Sequence, residues 1–176
     1  MTTAIHITRY PSPLGDLLLA SLGDKLVHLD FEDNDARMRT IQGRRFGDID
    51  WRYGDGPSQA VIGWLDAYFS GLVTTSPMTE VELNGTDFQK SVWLGLVDIP
   101  CGKTISYRQL AIELGMPKAV RAVAHSTALN PISILLPCHR VIASNGALTG
   151  YAGGLSRKRL LLDHEARMAA ATADHG

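Results

Sequence analysis

A cysteine, a histidine and an arginine are adjacent in the chain, at Cys138, His139 and Arg140. The thiolate is the nucleophilic form of cysteine, and a base or cation in contact with the sulfur lowers the thiol pKa below its free value of about 8.5. Neighbouring residues of a strand point to opposite faces, so contact between Cys138 and His139 requires a turn. Taken alone, the pair is more typical of a buried structural thiol than of a catalytic one.

A carboxylate further along the chain allows a catalytic interpretation. Glu165 lies in a helix that the sequence predicts to begin at Ser156, after the glycine-rich loop Gly150–Gly154. A glutamate on the inner face of that helix can orient His139, as the acid of a nucleophile–histidine–acid triad does. Glutamate is more often a solvated surface charge, and that alternative stays open.

The residues before the cysteine indicate how it is positioned. The segment Ile132–Leu136 is apolar, and Pro137 follows it. Proline favours an extended conformation in the preceding residue and cannot donate a hydrogen bond to a sheet. The sequence therefore predicts a buried strand that ends just before Cys138.

Metal and disulfide chemistry have little support in the sequence. Cys101 and Cys138 are the two cysteines of the chain, too few for the disulfide framework of a small secreted domain. These two cysteines and six scattered histidines show no paired ligand spacing. We expect no metal and no cofactor.

The chain has 176 residues, which allows one domain or two small ones. Its 45% hydrophobic and 20% charged residues are ordinary for a soluble globular protein and argue against collagen-like and disordered classes. There is no apolar run of the roughly 18 residues that a membrane span needs, and the first residues lack the features of a secretory signal. The sequence predicts a cytoplasmic protein with no membrane partner.

Charge is unevenly distributed along the chain. Residues 1–83 hold 7 Lys and Arg against 12 Asp and Glu, whereas residues 84–176 hold 10 against 6. We predict two domains with these ranges, divided at the turn signal Asn84-Gly85. The basic half is compatible with polyanion binding and equally with a solvated surface.

The amino-terminal half reads as a small α/β domain with an antiparallel sheet. Leu17–Ala20 and Leu26–Leu29 flank the turn pair Gly23-Asp24 and predict a β-hairpin. The polar segment 30–56 is predicted to carry little regular structure. Apolar residues at helical spacing predict a helix over 58–70, and residues 74–77 read as a linker.

The carboxy-terminal half reads as mainly helical. An apolar face that includes Val92 and Trp93 predicts a helix that ends before Pro100. Ser106 and Gln109 have the spacing of a capping box that opens a second helix. Pro117 favours the start of a third helix over 118–129. The last two helices match a helix-turn-helix, with an ordinary helical hairpin as the alternative.

The third helix of this half has one face of small residues, namely Ala119, Ala122 and Ser126, around a single long cation, Arg121. Such a face lets a protein approach a DNA groove closely, and the arginine can reach phosphates or enter the base stack. Alanine is also the best helix former, so the pattern is compatible with an ordinary helix.

These features together resemble a known family, the O6-alkylguanine-DNA alkyltransferases, also called methylated-DNA–protein-cysteine methyltransferases. The resemblance extends in order from about Phe88 to Glu165, while residues 1–83 resemble the family's amino-terminal domain in size and composition alone. The segments that carry it are Ser106-Tyr107, Gln109-Leu110-Ala111, Pro117–Val123, Asn130-Pro131, Pro137–Val141, Gly150-Tyr151 and Gly153-Gly154.

The resemblance implies direct-reversal DNA repair. An alkyl group on O6 of guanine, and less efficiently on O4 of thymine, in duplex DNA would pass irreversibly to Cys138 after nucleotide flipping. The helix-turn-helix would enter the minor groove, with Arg121 in the gap left by the flipped nucleotide and the small residues Ala119, Ala122 and Ser126 against the groove. We expect a monomer and leave cooperation along DNA open.

The resemblance also assigns roles at the reaction centre. Glu165 would hold His139, which would deprotonate Cys138 through a water molecule, and Tyr107 would press on a phosphate and hydrogen-bond the guanine. Asn130 would link the DNA-reading helix to this centre. The substrate pocket would include the carbonyls of Cys138 and Val141, the ring of Tyr151 and the backbone N–H of Ala152.

Some positions depart from the family pattern. His125 and Leu129 stand where small residues are usual, Ala152 stands where many relatives have serine, and Cys101 has no assigned role. Two other classes stay open at this point, a non-enzymatic DNA-binding module and a Cys-His hydrolase.

Overall fold

Four strands form the sheet of the amino-terminal half: β1 (Thr3–Tyr10), β2 (Leu17–Leu22), β3 (Lys25–Phe31) and β4 (Ile49–Tyr53). This computed structural model describes residues 1–54, 56–57 and 59–174. The strand order is β3-β2-β1-β4, with antiparallel pairing from β1 to β3 and β4 parallel to β1. The predicted hairpin is confirmed as β2 and β3, which are joined at Gly23 in the left-handed region (φ 61°) that glycine favours.

The prediction of little regular structure over residues 30–56 is wrong. This segment forms helix α1 (Asp35–Phe46) and then β4. Met38 belongs to a buried hydrophobic cluster with residues of the sheet such as Ile5 and Val27, and Phe46 packs against this cluster. The apolar stripe is narrow and lies between charged residues, so the helical periodicity is weak in the sequence. β4 is held by backbone pairing with β1, which composition does not reveal.

Helix α2 (Gln59–Phe69) confirms the next predicted helix, whose proposed first residue, Ser58, lies outside the described residues. Its inner face is apolar, with Val61 and Leu65 fully buried. Gly71, at φ 91°, follows its end. Residues 73–77 carry no regular secondary structure, as expected of a linker.

Helix α3 (Asp87–Val97) is the first predicted helix of the second half, and its Trp93 side chain is fully buried. It opens with a capping box formed by Thr86 and Gln89. Helix α4 (Tyr107–Glu113) opens where the sequence predicts, with the Ser106 hydroxyl accepting the Gln109 N–H at 3.0 Å. The Gln109 amide donates to Glu113 at 3.2 Å.

Helix α5 (Val120–Ala128) begins two residues later than predicted. Pro117 and Lys118 lie in the turn that joins it to α4. The Ala119 N–H donates to the Met116 carbonyl at 3.0 Å, which closes that turn, and the first α-helical bond runs from the Val123 N–H to the Ala119 carbonyl at 2.9 Å. The predicted start at Lys118 is therefore wrong, although the helix itself is confirmed.

The segment Ile132–Leu136 is buried, but the prediction that it forms a strand is wrong. Ile132 makes an isolated bridge with Leu29, and the chain then enters a turn. Ile134 has φ 71°, a left-handed conformation that β-branched residues rarely adopt. This residue interrupts the extended backbone that its apolar sequence favours.

Two short strands, β5 (Ile105–Ser106) and β6 (Val141–Ile142), pair in parallel in the second half. The long helix α6 (Leu155–Asp174) follows them. In the part of the chain that the structure describes, we find no helix with the length and apolarity that crossing a membrane requires. The cytoplasmic location stays a prediction.

The contacts divide the chain into two compact units. The first unit contains Met1–Asn84 together with Pro131–Ser133, and the second contains Gly85–Asn130 and Ile134–Gly176. The two ranges predicted from the sequence are contiguous and do not include the return of Pro131–Ser133 to the first unit. As domain ranges they stay a prediction.

Candidate active site

The predicted nucleophile lies in a turn. Cys138–Arg140 forms one 3-10 turn, closed by the Arg140 N–H donating to the Pro137 carbonyl at 3.0 Å, and β6 begins directly after it. The turn buries His139 fully and leaves Cys138 half-buried. The turn removes the opposite-face arrangement that a strand would impose on these two adjacent side chains.

A buried carboxylate holds both residues that follow the cysteine. Glu165, fully buried on α6, lies with Oε2 2.7 Å from Nε2 of His139. Arg140 donates from Nε to Oε1 at 2.7 Å and from its terminal nitrogen Nη2 to Oε2 at 2.9 Å. Its other terminal nitrogen donates to the Ile99 carbonyl at 2.6 Å. The structure thus brings together the predicted pair of Glu165 and His139 and adds Arg140 to it.

The electrostatics of this cluster determine which nitrogen of the histidine is basic. Burial raises the pKa of the Glu165 carboxyl, but the hydrogen bonds from His139 and Arg140 and the positive charge of the Arg140 guanidinium outweigh burial and hold that pKa well below its usual range. An ionised carboxylate can only accept, so Nε2 of His139 carries the proton and Nδ1 has the free lone pair. This Nδ1 atom is buried and has no hydrogen-bond partner among the described residues.

Asn130 connects the end of α5 to the turn. Its Nδ2 donates to the Leu136 carbonyl at 2.7 Å, and the Cys138 N–H donates to the same carbonyl at 2.8 Å. The Asn130 side chain therefore fixes the backbone two residues before the cysteine.

Tyr107, the first residue of α4, contacts the loop that follows β6. The Tyr107 hydroxyl donates to the Thr149 carbonyl at 3.3 Å. Burial raises the pKa of Tyr107, the hydrogen bond to Thr149 lowers it, and the charge of a Cys138 thiolate raises it again. A Cβ at Gly150, which has φ 66°, would lie 3.3 Å from that hydroxyl, so glycine permits this close approach.

The predicted pocket residues have different environments. Val141 is fully buried, Tyr151 is buried with its ring centroid 6.5 Å from that of His139, and Ala152 is exposed. A separate groove of about 640 Å³ is lined by residues outside the predicted set, namely Ala147, Leu148, Leu155, Ser156, Arg159 and Leu160. No group of three or more metal-ligating side chains occurs in the described part of the chain.

The residues of α5 that the sequence predicts to contact DNA differ in exposure. Arg121 and Ala122 are exposed, and Ala119 is half-buried at the start of the helix. The side chain of Ser126 is buried, and its carbonyl accepts the Trp93 indole N–H at 2.8 Å, so the structure does not expose this residue with Arg121 and Ala122, and its contact with DNA stays a prediction. His125, one of the departures from the family pattern, is exposed.

Sequence reasoning missed Lys158. This residue is 1% exposed, and its Nζ donates to the Val141 carbonyl at 2.6 Å and to the Thr149 carbonyl at 2.8 Å. It lies at helical spacing with Leu161, Glu165 and Met168, all of which are buried on α6. The helical spacing of the apolar residues of α6 therefore contains the information that was missed. It predicts that one lysine and one glutamate lie on the buried face of the helix.

Comparisons with known proteins identify the family of this chain. Residues 5–83 match the ribonuclease-like domain of 6-O-methylguanine DNA methyltransferase, and residues 87–167 match the DNA binding domain of the same family. A methylated-DNA–protein-cysteine methyltransferase of Mycobacterium leprae is 42% identical over 161 residues, which are 92% of this chain and 92% of the relative. The crystal structure of Mycobacterium tuberculosis OGT in complex with DNA covers 93% of this chain and 94% of its own, at 40% identity and a TM-score of 0.80.

The chain belongs to the 6-O-methylguanine DNA methyltransferase family. The predicted resemblance, the mixed α/β fold class and the enzyme class, a DNA-repair methyltransferase that acts on methylated DNA through a protein cysteine, are confirmed. The roles of individual residues stay predictions.

Proposed function

We propose that this protein moves the alkyl group of O6-alkylguanine in duplex DNA onto Sγ of Cys138, once per protein molecule. O4-alkylthymine would be a poorer substrate. The observation that carries the proposal is the half-buried Cys138 in a turn whose next two residues are held by one buried carboxylate. The matches to a DNA methyltransferase family favour this function over a Cys-His hydrolase or a purely DNA-binding module.

The thiol is activated by the histidine. Glu165 accepts the Nε2–H of His139 and leaves Nδ1 as the base, which takes the thiol proton through a water molecule. Arg140 balances the glutamate charge and fixes the carboxylate in place. The base therefore begins the reaction as one tautomer and keeps one orientation when it takes up the proton.

The transfer is a displacement at carbon. The sulfur attacks the alkyl carbon in line, the S–C bond forms, the C–O6 bond breaks, and the electron pair of that bond goes to guanine. Two hydrogen-bond donors would stabilise this negative charge, namely the Ala152 N–H and the Tyr107 hydroxyl, which would exchange its bond to the Thr149 carbonyl for one to guanine. The carbonyls of Cys138 and Val141 accept from the exocyclic amine, and Tyr151 lines the pocket. The Val141 carbonyl has a second lone pair for this contact beside the one that Lys158 uses.

The protein acts as a stoichiometric reagent. The product at Cys138 is a thioether, which has no carbonyl carbon for water to attack, unlike the thioester of a cysteine hydrolase. One molecule of protein therefore removes one alkyl group.

DNA is held in the minor groove by α4 and α5. Arg121 is exposed and Ala122 beside it is small, which allows the helix to approach the groove and the arginine to replace a flipped nucleotide. Flipping is needed because the reacting atom is otherwise inside the base stack. Asn130 couples this helix to the cysteine turn through Leu136. A monomer is sufficient for this geometry.

The test is the intact mass of the protein after incubation with duplex DNA that contains O6-methylguanine, followed by peptide mapping. We expect a gain of one methyl group per protein, located at Cys138, with no further repair by the modified protein. DNA binding without any mass gain would support the non-enzymatic module, and repeated turnover on an ester or amide would support the hydrolase.

A further inference from the structure

Helix α5 has a buried face and an exposed face. The buried residues are Val123, Ser126 and Thr127. The exposed residues are Arg121, Ala122, His125 and Ala128, which recur at the spacing of neighbours on a helix surface. We call these four residues the outer face of α5. Arg121 and His125 are the members of the outer face that can carry a positive charge.

Arg121 and His125 lie about one helical turn apart. Four residues of an α-helix rise about 6 Å, and side chains at this spacing leave the same side of the helix. In the proposed function Arg121 takes the place of the flipped nucleotide. Duplex DNA carries one phosphate about every 3.4 Å along each strand, so phosphates lie within 6 Å of that gap, a distance of about one helical turn. The outer face therefore brings His125 to the DNA backbone.

The environment of His125 leaves its imidazole available for such a contact. The side chain is exposed, and in the described part of the chain no Asp or Glu forms a salt bridge with it. His125 also lies in the last turn of α5, where the carbonyls of the helix end favour a positive charge. Its surroundings therefore accept a cation but offer it no carboxylate.

The ionisable groups of the two helices that pack on α5 do not supply an excess of negative charge. They are Asp87 and Lys90 on α3, and Tyr107, Arg108 and Glu113 on α4. Each helix thus has one acid and one base, and the tyrosine is neutral near pH 7. Arg121, one turn before His125, opposes a second positive charge on the outer face. A DNA phosphate would supply the anion that the free protein does not.

We propose that His125 is a DNA-contacting residue that takes up a proton when the protein binds duplex DNA and then pairs with a backbone phosphate. The proton comes from the solvent. An imidazole in water is half-protonated at about pH 6.5, and a nearby anion favours its charged form. Binding and proton uptake therefore favour each other, and DNA affinity rises as the pH falls. The inference rests on the proposed function in one respect, that the outer face meets DNA.

Protonation of His125 adds one cation to the interface. Each phosphate that a cation neutralises releases counterions and steepens the plot of log affinity against log salt concentration by about 0.9 for duplex DNA. Wild-type protein should therefore show a steeper salt dependence at pH 6 than at pH 8. Between 50 and 200 mM salt, this difference is a further loss of affinity of about 3.5-fold at the lower pH.

The first experiment measures this salt dependence by fluorescence anisotropy with an undamaged, labelled duplex at pH 6 and pH 8. His125→Gln stays neutral and His125→Lys stays charged, and both are surface substitutions that should leave the fold intact. We expect the shallow slope at both pH values in His125→Gln and the steep slope at both in His125→Lys. His6→Gln, which removes a half-buried histidine of the first unit, is the matched control and should behave as wild type.

Two results would overturn the proposal. One is a pH dependence in His125→Gln equal to that of wild type, since the titrating group would then be another residue. The other is a wild-type salt slope that is the same at pH 6 and pH 8, since no cation would then be added to the interface.

The second experiment measures methyl transfer at the same two pH values, from duplex O6-methylguanine DNA and from the free base, which has no phosphate. Titration of the thiol affects both reactions, so the ratio of the duplex rate to the free-base rate removes it. At protein concentrations below saturation, we expect this ratio to rise by about 3-fold or more from pH 8 to pH 6 in wild type and to stay constant in His125→Gln. Equal rises in the two proteins would overturn the phosphate contact.

These outcomes separate the inference from the proposed function. A pH-dependent DNA affinity that is lost in His125→Gln, together with no methyl transfer to Cys138, would refute the repair function and keep the DNA contact. Methyl transfer to Cys138 with the same pH dependence of binding in wild type and His125→Gln would keep the repair function and refute the contact. Absence of duplex binding at both pH values would refute both.

Discussion

Each unit of the chain contains a cluster of a buried histidine, a buried carboxylate and an arginine that binds this carboxylate. In the first unit Asp30 accepts from Arg37 at 2.8 Å, and His28 lies with Nε2 3.7 Å from Asp30, too far for a hydrogen bond. In the second unit the shorter contacts of Glu165 to His139 and Arg140 are all hydrogen bonds. The composition of the two clusters is the same, but their chemistry differs.

The two clusters differ in the hydrogen bonding of Nδ1 of the histidine, the ring nitrogen that is not the one nearest the carboxylate. Nδ1 of His28 lies 2.9 Å from the Gln42 amide nitrogen, which donates to it, so the lone pair is used within the core. Nδ1 of His139 has no such partner in the described part of the chain, and the next residue is a half-buried cysteine. A buried histidine–acid–arginine cluster is therefore structural unless a ring nitrogen stays available beside a nucleophile.

The largest expected effect on methyl transfer comes from removing the nucleophile, which the first unit does not have beside its histidine. We expect Cys138→Ser to reduce methyl transfer below detection, because a hydroxyl at neutral pH provides almost no anion for the displacement. DNA binding, measured by fluorescence anisotropy, should persist. Cys101→Ser is the matched control and should retain one methyl group per protein. A methyl group mapped to Cys101 in wild-type protein would refute the assignment of the site.

The next largest effect concerns the two carboxylates. We expect Glu165→Gln to slow methyl transfer by about 10²-fold or more, the lower range of what a positioned general base contributes. Asp30→Asn should lower the free energy of unfolding by about 3 kcal/mol, the cost of breaking a buried ion pair, but leave the single-turnover rate of folded protein unchanged.

Both rates are measured under single-turnover conditions at a temperature where each variant is folded. Circular dichroism verifies the fold before the assay. Equal losses of rate in Glu165→Gln and Asp30→Asn would mean that the two clusters do not differ in function, and the comparison would fail.

A smaller effect on the transfer rate is expected when an exposed arginine is removed from the surface of the second unit, with an exposed arginine of the first unit as the comparison. Arg121 on α5 and Arg44 on α1 are both exposed helical arginines. We expect Arg121→Ala to slow transfer from duplex DNA by about 10-fold, equivalent to ~1.4 kcal/mol in the barrier, because the flipped state loses its substitute for the missing base. Transfer from the free base O6-methylguanine should be unaffected.

Arg44→Ala is the matched control and should leave both rates unchanged. If Arg121→Ala slowed the free-base reaction as much as the duplex reaction, the arginine would act on the cysteine centre and not on the DNA.

The sequence predicted the parts of the structure that depend on local signals. The hairpin at Gly23, the cap at Ser106 and the pairing of Glu165 with His139 follow from turn propensity, capping spacing and the family resemblance. Helix α1 was missed because it has few apolar anchors among charged residues, and tertiary packing of Met38 decides its fold.

Other features depend on long-range contacts that spacing does not encode. Ile134 adopts φ 71° against its intrinsic preference, so an apolar segment that reads as a strand becomes a turn. Ser126 has the small size expected for a DNA-facing residue, yet helix rotation places it against Trp93. Lys158 was overlooked because a lysine is ordinarily solvated, and only the register of α6 marks it as buried.

The smallest expected effect concerns the pH dependence of stability in the first unit. Burial lowers the pKa of His28, although the nearby Asp30 opposes this shift. The unfolded chain therefore takes up a proton at this residue near pH 6.5 while the folded chain does not, so stability contributed by neutral His28 is present above about pH 6.5 and lost as the pH falls below it. The loss is at most about 1.4 kcal/mol per pH unit.

His28→Asn keeps an acceptor for Gln42 but cannot take up this proton. Urea unfolding between pH 7.5 and 5.5 should therefore show a steeper loss of stability in wild-type protein than in the variant, while methyl transfer at neutral pH remains the same in folded samples of both. Parallel stability curves would mean that His28 is protonated to the same extent in the folded and unfolded chain. In that case the cluster of the first unit would contain a charged imidazolium paired with Asp30, and the contrast with His139 would rest on the position of the cysteine alone.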